Sequence, residues 1–375
     1  MDNVIDSIAH VATFLIGLGL VVWTVTSAVR SFVLPRADNA KLTRVVFQVS
    51  FQLFFRPRVR KIEAYTDRDR VLAFYAPMTL LSLPLIWLTL VWLGYTAMFY
   101  AISDQLDLRE SLVMSGSSLM TLGFKFADEA PVIVLAFTEA ALGMMLVALL
   151  IGYLPTMYSA FSARERMVTK LEVRAGTPPS AVEMIRRFHI TGLLYEDERM
   201  FQVWVDWEDW FALLEETHTT LGPLNFFRSP KSTRSWVLAS GVVMDCAALV
   251  ASTLDVPKAR QSALCIRSGF VALRSIADFF NIAYDSNPAA DDPISITRAE
   301  FDEACDNMAE MGLPLLADRD QCWQDFSGWR VNYDTVLLRL AAITAAPYAP
   351  WISDRSPVGV SAPGRPVATG ILARS

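Results

Sequence analysis

Three stretches within the first 161 residues are apolar on every helical face, where a water-facing helix would alternate apolar and polar sides. Ile8–Val33 carries one charge, Arg30, at its end, and Val71–Ile102 runs 32 residues with none. Pro131–Phe161 holds a single acid, Glu139. About 20 apolar helical residues cross a bilayer core, so these predict three membrane spans, the second long enough to start in the interface or tilt, with Pro77 and Pro84 as expected kinks. Val45–Phe55 is apolar but too short to cross. Flanked by Arg44, Arg56, Arg58 and Arg60, it predicts an amphipathic helix on the membrane surface. Beyond residue 161 the period becomes that of ordinary helices. Trp204, Trp207, Phe211 and Leu214 recur at helical spacing, and Ser180–Glu183 and Thr297–Glu300 have the spacing of capping boxes. Trp236–Leu254 is as apolar as a span, but Asp245 near its centre makes it a buried helix of a soluble domain.

The expected fold is an all-α membrane protein of three transmembrane helices plus a helical cytoplasmic domain. Its parts are an N-terminal span (1–33), a basic connection with an interfacial helix (34–70), a membrane core (71–161), a helical domain (162–345) and a disordered tail (346–375). Composition agrees: of 375 residues 53% are hydrophobic and only 19% charged. The connection from Leu34 to Arg70 holds nine Lys/Arg, whereas that from Ser103 to Ala130 holds only Arg109 and Lys125. Arg164, Arg166, Lys170 and Arg174 follow the third span. The positive-inside rule then places the N-terminus outside, the second connection outside and the C-terminal domain in the cytoplasm, in a cell (inner) membrane. Asp2 and Asp6 stand where a signal peptide would be basic. Four widely spaced cysteines, Cys246, Cys265, Cys305 and Cys322, read as reduced structural thiols. The net charge of −6 comes without a Lys/Arg cluster of the nucleic-acid kind.

The outward connection carries the candidate chemistry. Leu108–Met120 is too short to span and too apolar for an exposed loop, and Thr121-Leu122-Gly123-Phe124-Lys125-Phe126 follows it. Irregular backbone at membrane depth survives only inside protein or beside water, so the pattern reads as a re-entrant pore loop. Ser118–Phe124 resembles the filter of the potassium-channel pore-domain superfamily, Thr-x-Thr-Thr-Val-Gly-Tyr, with Leu for Val and Phe for Tyr. The resemblance implies a pore helix ending near Ser117 and Ser118, and a filter of Thr121, Leu122, Gly123, Phe124 and Lys125. It also implies an inner helix with a hinge glycine at Gly143, a homotetramer, and potassium as the permeant monovalent cation with no cofactor. The pattern departs at Lys125 and Phe126, where the family has Gly and Asp. A side chain at the Gly position is expected to strain the backbone, and four ammonium groups at an outer mouth repel cations.

Glu139, an acid inside a span, reads as a brace that hydrogen-bonds the pore helix at Ser115 or Ser117, with ion binding as the other role. Glu215-x-x-His218 has the spacing of half a carboxylate–metal site but occurs once, which favours a core or surface histidine. Without a Ser/His/Asp set, phosphate loop or metal signature, the expectation is a channel subunit and not an enzyme. Its partners are the bilayer, copies of itself and an unidentified cytoplasmic ligand or protein, with no nucleic acid. A non-conducting receptor or scaffold that keeps the pore-like fold is the alternative.

Overall fold

The computed structural model describes residues 2–32, 41–103, 105–125, 128–256 and 260–355. Val33, Phe126 and 356–375 lie outside the described residues, so the readings made there do too. Every described element is helical apart from one isolated antiparallel bridge, Leu254 to Leu315. Among the described residues four helices are long and apolar enough to cross a membrane: Ile5–Phe32, Tyr65–Ile102, Ala130–Ala175 and Trp236–Thr253. They differ in what covers them. The apolar window is 17% and 22% buried in the first and third, but 94% buried in the fourth. Protein side chains thus already cover the fourth on all sides.

The chain divides into two compact units, Met1–Lys61 with Ala73–Ser159, and Ile62–Leu72 with Ala160–Ser375. In the first, α1 (Asp2–Phe32) packs along α5 (Tyr75–Ile102), and the Phe32 ring meets Trp87 and Tyr153 edge-on at 5.0 and 4.0 Å. Between them in sequence, α2 (Lys41–Ser50) runs through a π-helical turn (Phe51–Phe55) into the short α3 (Arg56–Val59). Helix α4 (Tyr65–Ala73) ends at Phe74 because the Pro77 ring takes the space of the Ala73 carbonyl, four residues back. The interruption therefore falls near the start of the apolar run, while α5 continues through Pro84 as one helix. Helix α6 (Leu108–Leu119) is capped by Asp107, whose Oδ1 accepts the Glu110 N–H at 2.7 Å. Helix α7 (Ala130–Ala175) runs 14 residues beyond the expected end at Phe161.

The second unit is built around α10 (Trp236–Thr253), in which every residue but Ala251 is buried. Around it lie α8 (Ala181–Ile190), α9 (Asp197–Thr220), α11 (Arg260–Phe279), α12 (Arg298–Glu310), α13 (Arg319–Arg330) and α14 (Asp334–Ile343). Asp245 is neutralised there: Arg330 Nη1 reaches both its oxygens at 2.6 Å, and Tyr333 donates its hydroxyl at 2.9 Å. Arg330 Nε donates to Asp334 at 2.8 Å and Nη2 to the Trp351 carbonyl at 2.7 Å. Although burial works against it, the carboxylates of Asp245 and Asp334 hold the Arg330 guanidinium above its ordinary range. None of the four cysteines is in a disulfide, and all four are buried.

Three expectations are corrected. Residues 346–355 are not a tail: Ala346, Ala349, Ile352 and Ser353 are buried, and Arg355 pairs with Glu300 at 2.5 Å. The Thr297 capping box forms, but the Ser180 box does not: its hydroxyl caps nothing, its N–H donates to the Ala175 carbonyl at 3.0 Å, and the Glu183 carboxylate goes to Arg186 and Arg187, each at 2.6 Å. These pairs hold the Glu183 carboxyl down at about 2. Finally, 62–72, expected as the end of the basic connection and the first two residues of the membrane core, belongs with the second unit.

Candidate functional site

The stretch after α6 folds back on the helix it leaves. Leu122 N–H donates to the Ser117 carbonyl at 2.8 Å and Thr121 N–H to the Ser118 carbonyl at 3.0 Å. Next, two successive amides, Phe124 N and Lys125 N, converge on the Ser117 hydroxyl at 3.2 and 3.4 Å. Ser117 is buried, so this hydroxyl fixes where the loop lies. The backbone also alternates in hand: Thr121 (φ 55°) and Gly123 (φ 69°) are left-handed, whereas Leu122 is not. Alternation of this kind turns successive amides to one side of the chain. Here they turn toward α6. Among the described residues no donor reaches the carbonyl oxygens of Thr121, Leu122, Gly123 or Phe124.

The strain expected at Lys125 is absent, since that residue lies outside the left-handed region. It falls on Thr121 instead, at a cost of about 1–2 kcal/mol. The Lys125 ammonium reaches Glu110 Oε1 at 3.2 Å, both side chains being partly exposed. Glu110 has no sequence signal for that role beyond its place in the first turn of α6.

Gly143 is a point of close approach between helices. A Cβ there would lie 2.4 Å from the Leu119 carbonyl, so α7 touches the last turn of α6 backbone to backbone. Glu139, fully buried, accepts the Ser115 hydroxyl at 2.5 Å, which is the brace expected of it. Ser115 also lies 3.0 Å from the Trp92 carbonyl, and Trp92 Nε1 donates to the Leu112 carbonyl at 3.0 Å. Tyr95 donates to Thr138 at 3.1 Å. Helix α6 is thus held from α5 and α7, and through Ser117 it holds the loop.

In the second unit His218 is a core residue. Its Nδ1 lies 3.0 Å from the Leu214 carbonyl and its Nε2 3.3 Å from Arg164 Nη1, the pattern of a neutral ring that donates at Nδ1 and accepts at Nε2. Glu215 turns elsewhere and accepts from Ser275 at 2.7 Å, so the two do not form half a metal site. Burial, then the Arg164 charge, push the His218 pKa well below 6.5. The unfolded ring takes a proton near pH 6.5 and the folded one does not. Stability is therefore expected to fall as pH drops below 6.5, by about 1.4 kcal/mol per pH unit. Denaturant unfolding of full-length protein in detergent, followed by tryptophan fluorescence, reads this against His218→Phe. Equal slopes between pH 6.5 and 5 in the two proteins would refute it.

The loop between Phe227 and Ser235 joins elements far apart in sequence. Arg228 pairs with Asp69 of α4 and donates to the Tyr65 hydroxyl at 2.5 Å, and Arg228 and Asp69 are both nearly covered. The Phe227 carbonyl accepts from Arg164 Nη2 at 2.8 Å, and Lys231 and Arg234 both bind Glu172, at the far end of α7. This explains why α4 belongs to the second unit. Comparison with protein-family models, with curated proteins and with solved structures finds no match for this chain.

Proposed function

We propose that the chain is one subunit of a homotetrameric cation channel of potassium-channel type, in a cell (inner) membrane. In this reading α1, α5 and α7 span the bilayer and Leu108–Lys125 is a re-entrant pore loop. The N-terminus is outside, and the second unit is a cytoplasmic domain that gates the pore in response to a ligand or protein. The observation that carries it is the pair of amides converging on Ser117. They turn the backbone N–H groups toward α6 and leave four consecutive carbonyl oxygens, from Thr121 to Phe124, without donors. A cation stripped of water needs such a row of oxygens, and four copies around one axis would supply it. The exposed side chains of Met120, Leu122 and Phe124 fit burial against neighbouring copies.

The test is flux in liposomes of protein whose mass is that of a tetramer. A monomeric or dimeric particle would sink the reading, because two loops cannot surround an ion. Replacing Lys125 by glutamine removes four positive charges at the mouth and releases Glu110. It is expected to raise potassium flux by about tenfold, the size of four screened repulsions. Unchanged or lower flux in Lys125→Gln would remove Lys125 from the ion path. A non-conducting receptor or scaffold, which lysine at the glycine position favours, is the reading that absent wild-type flux would leave.

A further inference from the structure

The segment from Arg44 to Lys61 has two faces of different use. One is locked to the start of α5. Phe47, Phe51 and Phe55, four residues apart, all meet the Tyr75 ring edge-on, with centroids 5.7, 5.4 and 5.2 Å away. An ordinary α-helix would carry residues four apart progressively around its axis. The wider turn Phe51–Phe55 counteracts that drift and keeps the rings on one side. Tyr75 donates its hydroxyl to the Phe47 carbonyl at 3.0 Å, and Ser50 and Thr79 share a hydrogen bond of 2.9 Å.

The other face is uncovered. Val45, Val49 and Leu53, at four-residue spacing, are 50%, 45% and 64% exposed, and Phe54 beside them is 57% exposed. Arg44, Gln48 and Gln52 flank this ridge, and Arg58, Arg60 and Lys61 follow it, all exposed. Among the described residues no carboxylate pairs with Arg44, Arg58, Arg60 or Lys61. An apolar ridge bordered by unpaired cations, on a segment between two helices of spanning length, matches one environment. Acyl chains lie beneath the ridge and phosphate groups lie level with the cations.

We propose that Arg44–Lys61 is a binding surface for anionic phospholipid headgroups, with Arg58, Arg60 and Lys61 taking the phosphates and Val45, Val49 and Leu53 seated at the acyl boundary. Because the opposite face is fixed to Tyr75, lipid bound here restrains the first turn of α5.

Full-length protein in bilayer nanodiscs of equal parts phosphatidylcholine and phosphatidylglycerol is extracted, and its retained lipids are weighed by mass spectrometry. Wild type is expected to retain phosphatidylglycerol in excess of the bulk ratio. The triple variant Arg58→Gln, Arg60→Gln, Lys61→Gln is expected to lose about a hundredfold of that preference. The triple variant Arg199→Gln, Arg260→Gln, Arg267→Gln, at exposed positions of the second unit, is expected to keep it. An undiminished preference in the first triple, or an equal loss in the second, overturns the assignment. The native cysteines are buried, so Leu53→Cys can be labelled selectively with a fluorophore. Quenching by lipids brominated on their acyl chains is expected. A label that stays unquenched because a second copy covers this ridge also overturns the proposal. Neither readout depends on conduction.

Discussion

Gly123→Val is expected to abolish cation flux in liposomes of verified tetramers, while the tetramer itself persists. Gly123 sits at φ 69°, a conformation in which a β-branched side chain collides with its own backbone. Its surroundings leave room for a side chain, with nothing within 4 Å of an added Cβ, so the penalty is conformational and not one of packing. Relief requires rotating the peptide planes on either side of residue 123. That rotation breaks the convergence of Phe124 N and Lys125 N on Ser117 and turns the Leu122 and Gly123 carbonyls out of their row. Gly123→Ala has the same hand problem without the β-branch, at about 1–2 kcal/mol, and is expected to fall between. Wild-type flux through Gly123→Val tetramers would mean that the backbone of 121–125 does not line the ion path.

Arg330→Met is the most damaging single change expected in the second unit. The guanidinium compensates two carboxylates, Asp245 and Asp334, and satisfies the Trp351 carbonyl, in a setting where Arg330 is 0% and Asp245 2% exposed. Removing one partner of a buried ion pair leaves a charge with no solvent to accept it, which costs about 3–5 kcal/mol. Denaturant unfolding of the detergent-solubilised chain reads the loss. Adding Asp245→Leu to Arg330→Met is expected to recover part of it by deleting a stranded charge. A loss below about 1 kcal/mol in the single variant would show that water reaches Asp245.

The long apolar helices were legible in the sequence because burial in lipid or protein demands uninterrupted apolar residues, and such runs are local. What Asp245 of the fourth would meet was not legible: its counter-charge, Arg330, lies 85 residues further on, beyond any sequence window. A still longer separation hid Arg228 and Asp69, 159 residues apart, so 34–70 read as a basic connection with an interfacial helix. Residues 346–355 read as disordered from their Ala and Pro content. Small residues are also what fits over a crowded helix, and Ile352 fills the space that Gly241 leaves open. At the candidate filter, the glycine and the serines of α6 were visible as residue types. The division of labour was visible only in part: Glu139 was expected to brace at Ser115 or Ser117, but not that Ser117 gathers amides and leaves Ser115 to Glu139, nor that Gly143 admits the Leu119 carbonyl. Those assignments depend on how α5, α6 and α7 meet, which no spacing rule encodes.

The Phe227–Ser235 loop has a thermodynamic consequence. By chain continuity α4 leads into α5, and the Glu172 end of α7 is the far end of the helix that begins at Ala130. Nine residues therefore serve as a common boundary for the segment entering one long helix and the segment leaving another. Free energy exchanged across a shared boundary is reciprocal. Any coupling that these nine residues carry between the Glu172 pairs and the Arg228–Asp69 pair is therefore equal in both directions.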